Sequence, residues 1–222
     1  LGDKWVQEYG EDADWLHFHN YMEIGFCYYG GGELVLGDEQ YRFKGGQFTV
    51  ITRNFPHTTE SDPGTISRWE YLFLDMEEFL RGLSISSART ERMIRRILAS
   101  GGNLYSEEEY PELAAKIRGI MDIMRKAEAF YLEEASGILY SVLAEVARIS
   151  SGEDEEPLEA DNVRTVNMVA RVLDYISEHY MEQIRVEELA KFCYISESHF
   201  RRVFSSHMKM GPLEYINIVR IR

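Results

Sequence analysis

One stretch of sequence decides the fold of the C-terminal part: Val186-Glu187-Glu188-Leu189-Ala190-Lys191-Phe192-Cys193-Tyr194-Ile195-Ser196-Glu197-Ser198-His199-Phe200-Arg201-Arg202-Val203-Phe204. Its beginning predicts a short helix with Glu187 and Glu188 in the first turn, where the helix dipole favours acidic side chains. Residues 193–195 predict a turn, and Ser196 is a good N-cap for the helix that follows. Two short helices across a three-residue turn form a helix-turn-helix.

The second of these helices has an apolar side and a polar side. Its apolar positions recur at helical spacing, which leaves Ser198, Arg201 and Arg202 on the outer side. An α-helix fits the major groove of DNA, where an arginine can bind guanine O6 and N7, and a neighbouring basic side chain can bind a phosphate. These three residues are therefore the candidate DNA-binding residues. The alternative is that the two arginines only form a solvent-exposed face of the helix and bind no DNA.

The charge of the chain is divided unevenly. The net charge is −14, yet residues 161–222 hold nine Lys and Arg against eight Asp and Glu. The first 160 residues hold fifteen basic and thirty acidic side chains. Such an acidic region disfavours contact with nucleic acid on its own surface, whereas the C-terminal region is compatible with DNA.

The stretch from about Val166 to Arg222 resembles the first half of the DNA-binding domain of AraC/XylS-family bacterial transcription regulators. The resemblance rests on residues 186–190 and 195–204 and on two later runs, Gly211-Pro212-Leu213-Glu214-Tyr215-Ile216 and Arg220-Ile221-Arg222. The family's domain joins two helix-turn-helix motifs by a long helix. The resemblance implies that Ser198, Arg201 and Arg202 face base edges or phosphates. It implies a structural role for Arg220 in the joining helix.

Four features depart from the family pattern. Tyr194 stands in the turn where Gly is common, Lys209 where Gly commonly ends the helix, and Arg185 where Ser or Thr usually caps a helix. The sequence given ends at Arg222, inside the joining helix, so we expect it to bind DNA weakly, with half of the phosphate contacts.

The N-terminal part is rich in aromatic and β-branched residues that glycine-containing turns interrupt. Short strands from about residue 13 to 75 predict an antiparallel sandwich or barrel. In Trp69-Glu70-Tyr71-Leu72-Phe73 the aromatic residues alternate, so they share one face of a strand. Residues 107–149 carry two apolar stripes at helical spacing, which predict an antiparallel pair of helices. This pair either covers the sheet or forms a dimer interface.

Four histidine and glutamate residues form the second candidate site. The spacing His17-x-His19-x3-Glu23 places both histidines on one strand face with Glu23 further along the same strand, and His57 follows on another strand. Three imidazoles and one carboxylate suit a divalent transition metal. With Gly30 and Gly46, these residues resemble the cupin pattern, and a cupin barrel is also the usual sensor half of AraC-type regulators.

The predicted fold class is therefore α+β: an N-terminal cupin-like antiparallel β-barrel with a helical hairpin, then an all-α helix-turn-helix domain of which only the first half is present. The predicted domains are the effector-sensing barrel at 1–85, a helical dimerisation segment at 86–150, an acidic linker at 151–163 and the DNA-binding domain at 164–222. The linker prediction rests on six acids within residues 152–161, a block that repels itself.

We expect a sequence-specific transcription regulator that responds to a small-molecule effector, which the resemblance implies is commonly a sugar. The candidate effector-binding residues are His17, His19, Glu23, His57 and Trp69, and the aromatic residues Trp15, Tyr28 and Tyr29 are further candidates for stacking on a ligand. The alternatives are a metal-dependent cupin enzyme that uses His17, His19, Glu23 and His57, and a dimeric module whose C-terminal part binds protein.

The expected partners are double-stranded DNA, the effector, a second copy of the chain and RNA polymerase, with no membrane. No enzyme activity and no cofactor are expected, and a divalent metal is the alternative. The first residues show neither a basic nor an apolar leader segment, and Cys27 and Cys193 lie far apart, which excludes a disulfide framework. A cytoplasmic location is expected from this cysteine usage.

Overall fold

The computed structural model describes residues 17–83, 87–150, 160–208 and 210–221. The chain divides into two compact units, residues 1–154 and 155–222, and each is described by itself. Trp15, Lys209 and most of the predicted acidic linker, residues 151–159, lie outside the described residues.

The first unit contains seven β-strands arranged in two antiparallel sheets. They are β1 (Met22–Tyr29), β2 (Gly31–Leu36), β3 (Glu39–Lys44), β4 (Gln47–Ile51), β5 (His57–Ser61), β6 (Arg68–Leu74) and β7 (Gly102–Ser106). One sheet has the order β6-β1-β4-β7 and the other has the order β3-β2-β5. Nearly all the turns between them are short, and positive φ angles at Gly30, Gly37 and Gly46 fit these turns.

The two sheets face each other across a shared apolar interior. Along β1 the residues alternate: Met22, Ile24 and Phe26 pack towards the helices, and the residues between them face the second sheet. The interior cluster draws on both sheets through Cys27, Leu34, Leu36, Phe43 and Ile51. This arrangement confirms the predicted antiparallel β-barrel architecture, with an interior side and a helix-covered side.

Four helices belong to this unit: α1 (Met76–Gly82), α2 (Ser87–Ala99), α3 (Pro111–Lys126) and α4 (Tyr131–Ile149). Pro111 at the first helical position suits the start of α3, because its missing N–H has no partner there in any helix. Lys116, early in α3, forms an ion pair of 2.7 Å with Glu145, late in α4, so the two helices are antiparallel as predicted. The turn between them contains Ala127 and Phe130, both with left-handed φ angles.

Two elements of this unit differ from the sequence prediction. Strand β7 lies inside the segment 86–150, which was predicted to be helical, and pairs with β4 at the edge of the first sheet. Helix α1 follows the strands predicted at about 13–75, in a part of the segment 1–85 for which the sequence predicts no helix. The five residues of β7 carry little local strand preference of their own, and their pairing partner β4 is about fifty residues earlier in the chain.

The second unit is all-α, with α5 (Ala160–His179), α6 (Val186–Phe192), α7 (Glu197–Met208) and α8 (Pro212–Ile221). Helix α5 begins at Ala160, so residues 160–163 belong to a helix and not to the linker predicted at 151–163. Its buried face includes Val169, Leu173 and Ile176, which were on the predicted stripe. Among the described helices, none combines the length and the apolar character that crossing a bilayer requires.

Candidate functional site

Three aromatic side chains lie on one face of β6: Trp69 and Tyr71 are partly buried, and Phe73 at the end of the row is 51% exposed. Trp69 and Tyr71 stack with ring centroids 5.8 Å apart and planes 9° apart, and Tyr71 and Phe73 stack at 6.2 Å. The ring of Trp69 also packs edge to face against the ring of Phe43 in the other sheet, with ring centroids 5.1 Å apart. This row of three rings, Trp69-Tyr71-Phe73, is called the aromatic row below.

The aromatic row lies beside a glycine that makes room for it. Gly25 of β1 pairs with Tyr71 of β6 on one side and with Thr49 of β4 on the other. A Cβ atom at position 25 would lie 2.8 Å from the Tyr71 ring and 2.7 Å from Thr49 Oγ1. The ring therefore packs directly against the backbone of β1, which only glycine allows without displacement.

Two buried hydrogen-bonding groups beside the row have no partner within the described part of the chain. They are Trp69 Nε1 and Thr49 Oγ1. A buried polar group without a hydrogen bond costs about 1–3 kcal/mol, so such groups call for a partner from outside the protein. Both belong to residues on the interior face of the first sheet.

At its Phe73 end the aromatic row meets a cluster of polar side chains. The ring of Phe73 contacts His19 edge to face at 5.0 Å, and His19 in turn contacts His57 at 5.2 Å. Glu23 Oε2 lies 3.0 Å from His19 Nε2 and 3.5 Å from His57 Nε2. The three donor atoms lie within 4.8 Å of one another, and this set of three, His19-Glu23-His57, is called the histidine–glutamate group.

The carboxylate of Glu23 is buried, with 5% of the residue exposed. Burial alone would raise its pKa, but the hydrogen bonds and positive charges of His19 and His57 outweigh that effect and lower the pKa of Glu23 to about 2. Glu23 is therefore ionised at physiological pH. The group combines a fixed negative charge with two imidazoles at the end of an apolar, aromatic surface.

The sequence prediction for His17 is only partly met. His17 and His19 do not share a strand with Glu23: β1 begins at Met22, and the chain bends at residues 20 and 21. His17 instead forms a β-bridge with His57, and their rings lie 4.2 Å apart. It adjoins the histidine–glutamate group without belonging to it. The bend turns the His19 ring back towards Glu23, which a straight strand would not do.

Trp69 is the one aromatic residue of β6 among the effector-binding residues predicted from the sequence. Tyr71 and Phe73 lie on the same face of β6, as their alternation predicts, and they lie nearer to the histidine–glutamate group. By contrast Tyr28 faces the helices, where its hydroxyl donates to Glu70 at 2.6 Å, and Tyr29 is half exposed at the end of β1. Period-two alternation alone would have found the two missed residues.

In the second unit, the turn and cap of the helix-turn-helix form as predicted. Ser196 Oγ accepts a hydrogen bond from the backbone N–H of His199 at 3.3 Å, which caps α7. Tyr194 adopts the left-handed conformation, with φ of 57°, and its side chain is 93% exposed. The Arg185 side chain has no oxygen that could cap the start of α6. Instead, the Glu188 carboxylate accepts a hydrogen bond of 3.2 Å from the backbone N–H of Arg185 and so satisfies this donor.

The polar side of α7 carries the three candidate DNA-binding residues, all exposed. Phe200 and Phe204, on the other side, are fully buried. Arg201 bonds Glu197 one turn earlier, and an Nη atom of Arg202 lies 3.3 Å from His199 Nδ1. These partners are themselves surface residues of the same helix, so both guanidinium groups stay accessible.

Arg220 of α8 lies apart from this surface. Its guanidinium donates to the backbone carbonyls of Tyr180 at 2.9 Å and of Glu182 at 2.6 Å. Both acceptors lie just after the end of α5, where backbone carbonyls lack helical partners. Arg220 therefore joins α8 to the end of α5, which is a structural role.

Two family profiles match the chain, one for each unit. Residues 7–143, more than half of the chain, match the AraC-like ligand binding domain. Residues 176–217 match the bacterial regulatory helix-turn-helix proteins of the AraC family. The second match spans α6, α7 and most of α8.

Two curated relatives are transcription regulators. An uncharacterized HTH-type transcriptional regulator, YbfI of Bacillus subtilis, is 24% identical over 92% of this chain and 70% of its own length. The lactose operon transcription activator of Staphylococcus xylosus is 21% identical over 86% of this chain and 64% of its own length. The chain thus spans about two thirds of the length of each relative.

Similar solved structures include the AraC-like transcriptional activator CuxR, with a TM-score of 0.45 and 14% identity over 91% of this chain and 66% of that one. Another is ToxT from Vibrio cholerae with an unsaturated fatty acid bound, with a TM-score of 0.39 and 13% identity over 90% of this chain and 88% of that one. The assignment rests on the two family profiles: the chain belongs to the AraC family of bacterial transcription regulators, with a ligand-binding domain followed by a DNA-binding helix-turn-helix.

Proposed function

We propose that a small-molecule effector binds inside the barrel, between the aromatic row and the histidine–glutamate group. The observation that carries this proposal is the continuity of flat aromatic faces, unpartnered buried donors and a charged group on one interior surface. Ligand sites are typically apolar with a few placed polar groups of this kind. A sugar suits such a surface, because its C–H faces stack on aromatic rings and its hydroxyls accept and donate hydrogen bonds.

The residues proposed to bind the effector are His19, Glu23, His57 and Trp69, with His17 beside them. Tyr71 and Thr49 are added from the structure, since they border the same interior surface. The proposal includes no enzymatic reaction and requires no organic cofactor, in keeping with a family of regulators.

We further propose that Ser198, Arg201 and Arg202 make the sequence-specific contacts to double-stranded DNA. The support is their shared exposure on the polar side of a capped helix in the AraC-family motif. Arginine and serine side chains on such a helix reach both base edges and phosphates.

The working unit in this proposal is a homodimer that acts with RNA polymerase in the cytoplasm. The antiparallel hairpin of α3 and α4 is the proposed dimerisation segment, and the exposed apolar residues Phe130 and Leu132 at its tip support a contact there. Effector binding would then shift an equilibrium between arrangements of the two subunits. By linkage, target DNA changes the affinity for effector by the same factor as effector changes the affinity for DNA.

A selection from a random pool of DNA duplexes tests the DNA part. The chain should enrich a defined sequence, and Arg201→Ala and Arg202→Ala should each weaken binding to it by about 1–3 kcal/mol. Arg42→Ala is the matched control, because Arg42 is also an exposed arginine in an ion pair, with Asp62 at 2.7 Å. Failure to enrich any sequence, or equal losses in all three variants, would contradict the proposed contacts.

A thermal-shift screen with a panel of mono- and disaccharides tests the effector part. A true effector raises the unfolding temperature, and once its free concentration exceeds the Kd the stabilisation grows with the logarithm of that concentration. The shift should disappear in Tyr71→Ala and Trp69→Ala and persist in Tyr29→Ala, because Tyr29 lies outside the interior surface. If a sugar stabilises the Tyr71 and Trp69 variants as well as the parent chain, it binds elsewhere and the proposed site is wrong.

A further inference from the structure

Helix α2 of the first unit carries a cluster of four arginines: Arg89, Arg92, Arg95 and Arg96. Arg89, Arg92 and Arg96 follow one another at spacings of three and four residues, which places them on one face of the helix. The opposite face is apolar, and Ile94 and Ile97 on it are buried. Arg89 and Arg92 are exposed, and the other two arginines are partly exposed. The four residues are called the arginine row below.

The arginine row forms no ion pair or hydrogen bond with another residue that the structure describes. The single acid of α2, Glu91, bonds Arg81 of α1 at 2.9 Å. That bond is the main cause that lowers the pKa of Glu91, and Arg95 adds a weaker attraction. Six of the seven other arginines in the described part of this unit do form ion pairs: Arg42, Arg53, Arg68, Arg81, Arg118 and Arg125. The row is therefore an exception in a unit that pairs its arginines with acids.

Without a partner the arginine row acts against its own helix. Like charges three or four residues apart on a helix repel one another, and Arg92 has such neighbours on both sides, in Arg89 and in Arg95 and Arg96. Arg89 also lies in the first turn, which holds no acid and where the helix dipole disfavours a positive charge. An anion bound along the row removes both penalties.

The length and the composition of this face indicate what kind of anion fits it. From Arg89 to Arg96 the helix rises by about 10 Å, so one partner must carry several negative charges over that distance. Apart from arginines, the exposed described residues of α2 are Ala88 and Ala99, and none is a large apolar residue. Protein interfaces centre on large anchoring side chains, whereas surfaces that bind DNA are polar and strongly positive. The row therefore fits a chain of phosphates better than it fits a protein.

We propose that the arginine row is a second DNA-binding surface of the chain, which binds the phosphate backbone of double-stranded DNA without reading its sequence. The planar guanidinium group suits this role, because its N–H donors match two oxygens of one phosphate. DNA is the polyanion that the helix-turn-helix family of this chain binds. The row lies in the ligand-binding unit, so the proposal goes beyond the contacts proposed for α7.

The acidic character of the first unit does not prevent such contacts. Residues 1–160 hold thirty acidic and fifteen basic side chains, but residues 87–99 hold four arginines and one glutamate. Salt screens charges on a protein surface beyond about 8 Å at physiological ionic strength. A phosphate at the row is therefore attracted by the nearby guanidinium groups more than it is repelled by distant carboxylates.

The salt dependence of DNA binding by the full chain tests the proposal. Each phosphate contact contributes about 0.9 to the slope of log K against log salt concentration. The double variant Arg89→Ala/Arg92→Ala should lower this slope by about 2. It should also weaken binding to the selected duplex and to a scrambled duplex by the same factor, because phosphate contacts carry no sequence information.

Arg42→Ala/Arg118→Ala is the matched control. It removes two positive charges from exposed arginines of the same unit that are already paired with acids, and it should leave the slope nearly unchanged. Urea unfolding checks that the variants fold. Because Arg89 and Arg92 are exposed and repelled by their neighbours, their double variant should be at least as stable as the parent chain.

The variant Arg201→Ala/Arg202→Ala separates this proposal from the contacts proposed for α7. It should lose the preference for the selected duplex and keep salt-dependent binding, which then falls when Arg89→Ala/Arg92→Ala is added. If the preference survives, the proposed α7 contacts are wrong, and the slope still measures the row.

Three results would overturn the proposal of a second surface. They are an unchanged slope in the folded Arg89→Ala/Arg92→Ala variant, an equal change of slope in the control, and no binding of the parent chain to a scrambled duplex at low salt. An unchanged slope would leave the row to an acidic protein partner.

Discussion

One carboxylate oxygen of Glu197 accepts from both Nε of Arg201, at 2.8 Å, and an Nη of Arg201, at 2.7 Å, within a single turn of α7. The pair holds the guanidinium along the helix surface instead of extended from it. For Arg201 to turn its Nε and this Nη towards a base edge or a phosphate, it must leave this carboxylate. Glu197 therefore competes with DNA for the arginine.

Replacing Glu197 by Gln should strengthen DNA binding. The exposed helical pair is worth about 0.3–0.5 kcal/mol, so its loss, together with that of a negative charge near the phosphates, should raise affinity about two- to threefold. Fluorescence anisotropy with the selected duplex measures this. Glu187→Gln is the control, because Glu187 forms the same kind of pair with Lys191 on α6. An equal gain in both variants would mean a general charge effect and no competition for Arg201.

Gly25→Ala should destabilise the barrel. The added Cβ would lie 2.7 Å from Thr49 Oγ1 and 2.8 Å from the Tyr71 ring, and overpacking of this kind costs about 1–3 kcal/mol. Urea unfolding measures the loss, and sugar binding should fall with it because Tyr71 is displaced. Gly137→Ala is the matched control: it lies in α4 with open space around it and should be neutral or stabilising by about 0.5–1 kcal/mol. A Gly25 variant as stable as the control would show that Tyr71 moves aside freely.

The stability of the protein should fall in acid through Glu23. Its pKa drops from 4.5 to about 2 on folding, so the unfolded chain takes up a proton at a pH where the folded chain does not. The stabilisation is present above pH 4.5 and is lost as the pH falls towards 2. Its size is up to about 3 kcal/mol. Thermal unfolding at a series of pH values measures the slope, which should be shallower in Glu23→Gln. Parallel curves for the two proteins would contradict the prediction.

The two cysteines should differ in reactivity. Burial raises the pKa of the Cys27 thiol to about 12, and Cys27 is fully buried among the interior residues. Burial also raises the pKa of Cys193, which is only partly covered at the end of α6. Because the thiolate is the reactive form, alkylation of the native chain should modify Cys193 first and Cys27 only on unfolding. Mass spectrometry of Cys27→Ser and Cys193→Ser identifies the reacting thiol, and faster labelling of Cys27 would contradict the assignment of its burial.

The helix-turn-helix was predictable because its evidence is local. The spacing of Phe200 and Phe204 defines the buried side of α7, and Ser196 caps the helix from the adjacent position. The alternation of Trp69, Tyr71 and Phe73 likewise predicted a shared face. These patterns lie within one element, so the sequence shows them directly.

The geometry of the histidine–glutamate group was less predictable. Spacing suggested a straight strand through His17, His19 and Glu23, but a bend before Met22 separates them and leaves His17 paired with His57 of β5. The Nδ1 atoms of His19 and His57 each lie 2.8 Å from a backbone carbonyl oxygen, and side-chain identity does not reveal such backbone contacts. Strand β7 was missed for a related reason, since its pairing with β4 is a tertiary contact.

The hydrogen bonds from Arg220 to the backbone carbonyls of Tyr180 and Glu182 have acceptors that do not titrate. A carboxylate partner could be neutralised by protonation, but a peptide carbonyl cannot, and arginine stays charged throughout the accessible pH range. The hydrogen bonds between α8 and α5 should therefore persist in acid that protonates the carboxylate of Glu187 and breaks its ion pair with Lys191 on α6.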